Sequence, residues 1–191
     1  MTYKMEEENL YWKTVAPGPE VPRRMYAIIE CPKGTQNKYE MSKTTNLLKL
    51  DRVLHSSVIY PQDYGFIPGT YADDGDPLDI LVLITHPTYP LTCLEVRPIG
   101  VLLMEDQSGV DEKILAVSEF DPVYNSYEDI VQLPNHFIEE IQEFFRTYKN
   151  LEEKSYSEVK EWKGRDYAHM IINNCVEAFK KKFGDLAVIH P

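Results

Sequence analysis

The chain has 191 residues, 43% hydrophobic and 12% aromatic, which suits one globular domain with a sizeable core and leaves little room for two. Lys and Arg total 20 against 31 Asp and Glu, and the formal net charge of -11 excludes nucleic-acid backbones as the main partner while leaving room for a small anion held by local cations or metal. The start "MTYKMEEENLYWK" has no apolar signal core and the aliphatic run "ILVLI" is too short to cross a bilayer, so a soluble, cytoplasmic protein without a membrane partner is expected.

In chain order, residues 1–24 mix charge with "APGPEVP" and read as an irregular N-terminal arm on a single domain spanning 1–191. From there to about Glu119 the texture is strand-like. The runs "MYAIIE", "NKYEM", "LLKLDRVL", "DILVLI", "VRPIGVLLME" and "KILAVSEF" are separated by turn formers such as Pro32, Gly34, Pro61, Gly65 and Gly109. Strands at this spacing favour a barrel or sandwich. The pattern then changes: Phe137, Ile141, Phe144, Phe145 and Tyr148 recur at helical spacing after Pro134, and Ala168, Ile171, Ile172, Cys175, Ala178 and Phe179 repeat it before "KKKFG". Two amphipathic helices therefore follow a β-rich body, an α+β domain built on a small barrel. Cys31, Cys93 and Cys175 form no CxxC pair and read as buried free thiols.

The chemistry concentrates in "DGDPLDI". Asp74 and Asp76 face the same way if the segment is extended, and Asp79, opening the apolar strand, converges on them across the bend at Gly75 and Pro77. Three carboxylates in one volume repel and raise a pKa unless a cation fills the space, and hard divalent ions, Mg²⁺ above all, are the natural partners. A solvated acidic turn is the plain alternative. A calcium loop fails, because its fifth, sixth and twelfth positions are Leu78, Asp79 and Thr85. The triad alone leaves metal binding open.

"MEDQSGVDEK" adds Asp106 and Asp111 around a Gly-containing turn, with Lys113 starting the next run, so the two acidic segments read as rims of one site in which Lys113 faces the anion. Lys38 and Glu40 alternate about Tyr39 on one face of a strand, Arg52 lies in "LDRVL", and Tyr148 and Lys149 close the first helix. Tyr60, Tyr64 and Tyr71 in "YPQDYGFIPGTY" are either packing aromatics or phenolic donors aimed into the site.

These segments resemble the soluble family I inorganic pyrophosphatases. "DGDPLDI" is similar to that family's three-aspartate signature, "YPQDYGFIPGT" to its tyrosine-bearing segment and "VRPIGVLLMEDQSGVDEK" to its second acidic segment, while "ECPKGTQNKYE" and "FFRTYKNLE" fall in the expected order, covering roughly residues 25–165. The resemblance implies an OB-like five-stranded β-barrel flanked by two C-terminal α-helices, and hydrolysis of pyrophosphate to two phosphates with several Mg²⁺ ions, for which Mn²⁺ or Zn²⁺ substitute. It implies that Asp74, Asp79, Asp106 and Asp111 are metal ligands joined by Glu30, and that Asp76 orients and deprotonates the attacking water. Lys38, Arg52, Tyr64, Lys113, Tyr148 and Lys149 then look like phosphate binders, with Glu40 and Tyr60 supporting them. It also implies a homo-oligomer, most often a hexamer. Gln107 stands where many bacterial members carry a second acid and resembles plant-type members instead. Two rivals share parts of this picture. A non-catalytic OB-fold binding module needs a basic groove that the net charge opposes, and a Mg²⁺-dependent phosphohydrolase acting on nucleotides or polyphosphate has no P-loop here to support it.

Overall fold

The computed structural model describes residues 10–107, 109–153 and 155–191. The sequence alternates apolar residues along its strands, and that period of two divides them between two cores. From β5 (Asp79–Leu83) and β7 (Gly109–Ser118), Ile80, Val82, Ile114 and Ala116 join one core, and Leu81, Leu83, Leu115 and Val117 join the other. Helix α3 (Arg165–Phe183) caps the first with Ala168, Ile172 and Val176, and helix α2 (Asn135–Thr147) closes the second with Ile141, Phe144 and Phe145.

Five strands close on themselves. β1 (Met25–Cys31) pairs with β4 (Asp63–Phe66), β4 with β5, β5 with β7, β7 with β6 (Cys93–Asp106), and the first residues of β6 return to β1. Only β5 and β7 run parallel; the other pairs are antiparallel. β6 is long enough to serve a second purpose, and its far half carries β8 (Ser157–Gly164) along the register Gly100↔Gly164 to Asp106↔Ser157. β2 (Asn37–Met41) and β3 (Leu48–Val53) form a separate two-stranded ribbon. The architecture is α+β, an OB-like closed five-stranded barrel with two C-terminal helices, as the sequence suggests.

Four features differ from the sequence reading. Gly65 is a strand residue, not a turn: it faces the Ile28 carbonyl so closely that any Cβ would collide, which is how β1 and β4 approach each other. β8 escapes the period-two reading because Glu158, Lys160, Glu161 and Lys163 dominate it and only Val159 and Trp162 turn toward a core. The arm, described from Leu10 onward, contains a helical turn, α1 (Tyr11–Thr14), and buries Leu10 and Trp12; the Trp12 ring meets Phe183 edge-on at 5.4 Å. Residues 1–9 of the expected arm lie outside the described residues. Cys31 and Cys175 are buried free thiols, whereas Cys93 is exposed. No described helix is long and apolar enough to cross a membrane.

Candidate active site

At one end of the barrel β4, β5, the β6–β7 hairpin, the β2–β3 ribbon and the end of α2 surround a cleft of about 420 Å³. Asp74, Asp76, Asp79, Asp106, Asp111 and Glu30 line it, as do Lys38, Glu40, Arg52, Tyr64, Lys113, Tyr148 and Lys149. Of the residues singled out from sequence, Tyr60 and Tyr71 do not.

The barrel sets the acidic wall through strand register. Asp79, first in β5, lies beside Lys113 across the parallel ladder, and Asp111 shares the Lys113 face of β7. The Lys113 ammonium, only 3% exposed, ion-pairs with Asp79 and with Asp111 at 2.5 Å, while the Tyr64 hydroxyl donates to Asp79 Oδ2 at 2.6 Å. Burial opposes the Lys113 charge, but the two carboxylates outweigh it and hold the ammonium well above the ordinary lysine range. Asp106, last in β6, accepts from Lys149 Nζ at 2.8 Å. Asp106 and Asp111 thus flank the hairpin, as the sequence places them.

Asp74 and Asp76 lie in a closed turn, not in the extended segment that would set them side by side. The Ala72 N–H donates to the Asp76 carbonyl at 2.8 Å, Gly75 takes φ +90, and the Asp76 N–H donates to Asp74 Oδ1 at 2.9 Å. The turn still delivers both carboxylates to the cleft, and Asp76 ion-pairs with Lys43.

Three of the acids carry an electrostatic burden. Burial, followed after its bond from the Met41 N–H by repulsion from Asp79, pushes Glu30 up to about 8. Burial and Asp79 raise Asp74, and burial raises Asp111 against the pull of Lys113. Among the described residues no three acidic or sulfur and imidazole ligands converge at metal-holding distance, since the lysines engage the carboxylates. The donor set nevertheless fits a hard divalent cation. It consists of partly buried carboxylate oxygens, and burial together with neighbouring carboxylates raises the charge of Glu30, Asp74 and Asp111 in energy.

The opposite wall is cationic and more exposed. Lys38 and Arg52 are cross-strand partners on the ribbon; Lys38 ion-pairs with Glu40 and with Asp51 at 3.4 Å, and Arg52 with Asp51 and with Glu152 at 2.8 Å. Tyr148 caps α2 with its ring stacked on Phe144 at 5.3 Å. Tyr60, 2% exposed, lies beneath the site with its ring 5.3 Å from Tyr64 and 5.0 Å from Phe144. Tyr71 faces away from the cleft, its hydroxyl meeting Lys182 and its ring packing on Phe183.

Sequence reasoning missed Lys43, Asp51, Glu152 and the arm residue Trp12, which also lines the cleft. Asp51 had a signal, its place next to Arg52. Lys43 and Glu152 reach the site only through the turns that carry them.

Such a cleft, with carboxylates on rigid strand ends facing lysines, an arginine and phenols, defines a class of site made to gather divalent cations with a multiply charged anion. The family model described as inorganic pyrophosphatase matches residues 27–180. The inorganic pyrophosphatase of Picrophilus torridus is 42% identical over 177 residues, 93% of this chain and 99% of that protein. That of Synechocystis is 50% identical over 153 residues, 80% of this chain and 90% of that one. The crystal structure of inorganic pyrophosphatase from Thermus thermophilus superposes with a TM-score of 0.87 at 42% identity, covering 89% of this chain and 99% of that one. The chain belongs to the inorganic pyrophosphatase family and is a hydrolase.

Proposed function

We propose that this protein hydrolyses inorganic pyrophosphate to two phosphates in a Mg²⁺-dependent reaction. The observation that carries the reading is the meeting, in one cleft, of Glu30, Asp74, Asp76, Asp79, Asp106 and Asp111 with Lys38, Arg52, Lys113 and Lys149. Family membership supports it. In this reading Asp74, Asp79, Asp106 and Asp111, joined by Glu30, hold the Mg²⁺ ions. When bound, Mg²⁺ neutralises phosphoryl charge and lowers the pKa of water.

The chain's own groups do the rest. The Asp76 carboxylate accepts the proton of the attacking water, whose oxygen forms the new bond to phosphorus as the bridging P–O bond breaks. Lys38, Arg52, Lys113 and Lys149 bind phosphoryl oxygens and stabilise the charge that develops on the leaving phosphate, and Tyr64 and Tyr148 donate hydrogen bonds. Glu40 orients Lys38, and Tyr60 supports the Tyr64 ring from below. The proposal extends to Mn²⁺ or Zn²⁺ as substitutes, a cytoplasmic location, one domain over 1–191 and a homo-oligomer, a hexamer by resemblance to short members of the family.

Phosphate release from pyrophosphate with Mg²⁺, run beside a chelator control and with ATP as a second substrate, tests the reading. Metal-dependent release that prefers pyrophosphate is expected. Equal turnover of ATP, or release that survives chelation, would overturn it.

A further inference from the structure

The tip of the β2–β3 ribbon, residues 42–47, belongs to neither the barrel nor a helix, yet it is fastened on two sides. On one side the backbone N–H of Tyr11 in the arm donates to Asn46 Oδ1 at 2.8 Å. On the other, Lys43 ion-pairs with Asp76. Underneath, Leu10, Trp12, Met41 and Phe66 share a small core with Phe179 of α3, which ties arm, ribbon and barrel together.

Lys43 differs from the other cations of the cleft. Lys113 and Lys149 engage Asp79, Asp111 and Asp106, and the carboxylate partners of Lys38 and Arg52 are Glu40, Asp51 and Glu152. Lys43 pairs with the turn residue Asp76. Both side chains are about half open to solvent, at 56% and 44%, and such a pair adds little to overall stability. Its effect is local. The hydrogen bonds of Ala72 and Asp76 already fix the backbone of the turn, so the freedom left to Asp76 is rotation of its carboxylate.

We propose that Lys43 is a positioning residue, holding the Asp76 carboxylate in place and tying the ribbon tip to the 72–77 turn. The inference rests on the reading of Asp76 as proton acceptor. A base must meet its water within about 2.6–3.2 Å, so a carboxylate free to rotate loses turnover. Substrate affinity, carried by Lys38, Arg52, Lys113 and Lys149, stays in place. The arm then has a task at the site: it braces the tip from which Lys43 projects.

The test uses the full chain with Lys43→Ala and Lys43→Arg. Two quantities are read: kcat and KM for pyrophosphate at saturating Mg²⁺, and amide hydrogen exchange of segments 42–47 and 72–77 without added metal. Lys43→Ala is expected to lower kcat about 5- to 10-fold with KM within about 2-fold, and Lys43→Arg to recover most of the loss. Segment 42–47 is expected to exchange faster in Lys43→Ala than in the wild type, while 72–77, whose backbone is held by its own hydrogen bonds, changes little. Unchanged kcat overturns the proposal, as does a rise in KM at constant kcat, which would make Lys43 a substrate contact. Unchanged exchange in segment 42–47 removes the tie. A wild type that releases no phosphate would sink the functional reading and the catalytic part of this one with it, whereas the exchange comparison still decides the tie.

Discussion

The two walls of the cleft are built on opposite terms. On the barrel wall, Asp79 and Asp106 sit at strand ends and Asp111 and Lys113 within β7, all with backbones held by ladder partners, and Lys113 is almost wholly buried. On the ribbon wall, Lys38, Glu40, Asp51 and Arg52 stand on two strands outside the barrel, and their ion pairs are partly open to water. A buried charge that loses its partner is expensive, while an exposed pair is screened and contributes little. The barrel wall therefore couples the site to stability, and under the proposed function the ribbon wall adjusts affinity at small cost to the fold.

The largest effect expected is on the barrel side. Lys113→Ala leaves Asp79 and Asp111 facing each other without their shared cation, and should destabilise the metal-free protein by about 3–5 kcal/mol in urea denaturation. Added Mg²⁺ should return part of that loss. A loss below about 1 kcal/mol would mean that water already screens the two acids, and the contrast between the walls would collapse.

Next comes Asp76→Asn, which keeps the shape of the side chain and removes its capacity to take a proton. Turnover should fall on the order of 10²-fold or more with the melting temperature nearly unchanged. Near-wild-type phosphate release at saturating Mg²⁺ would remove Asp76 from the chemistry.

A carboxylate outside the site sharpens the comparison. Asp121 is buried, as Glu30 is, but it accepts from the Thr85 N–H at 2.6 Å, the Thr85 hydroxyl at 3.0 Å and the Val123 N–H at 2.9 Å. Burial works against its charge and these bonds overcome it, holding the carboxyl below the usual range, whereas Glu30 is pushed up. A depressed folded pKa contributes stability that is full above the unfolded value of about 3.9 and is lost as pH falls through the folded one. Asp121→Ala should cost about 1–2 kcal/mol near neutral pH, less in acid, with activity per folded molecule unchanged. Denaturation midpoints measured from pH 7 to pH 3 check this, and a difference independent of pH would contradict it.

The smallest effect belongs to the ribbon. Arg52→Lys keeps the charge and loses the planar fork that spans Asp51 and Glu152, so KM for pyrophosphate should rise about 3- to 5-fold with little change in stability. A change in stability as large as that of Lys113→Ala would show that the ribbon is not the adjustable wall.

Much of the site was legible because short-range order carries it. Asp74, Asp76 and Asp79 lie within six residues, and the period of two in "VDEK" alone puts Asp111 on the Lys113 face. The β6–β7 hairpin needs only local chain reversal to bring Asp106 near them. What escaped was non-local or backbone in origin. Gly65 signals a turn in sequence, and only the neighbouring strand reveals that its missing side chain permits close pairing. Cys93 reads in sequence like one more buried thiol, but it opens β6 and is exposed.

From sequence alone came the β-rich body, the two helices, the acidic segments and the family resemblance, because periodicity and spacing are properties of neighbouring residues. Tertiary structure alone decided that β6 closes onto β1, that Tyr60 lies beneath the site and not in it, and that Lys43 meets Asp76 across 33 positions of chain. Those contacts depend on how separate elements pack, and no local pattern encodes the distance between them.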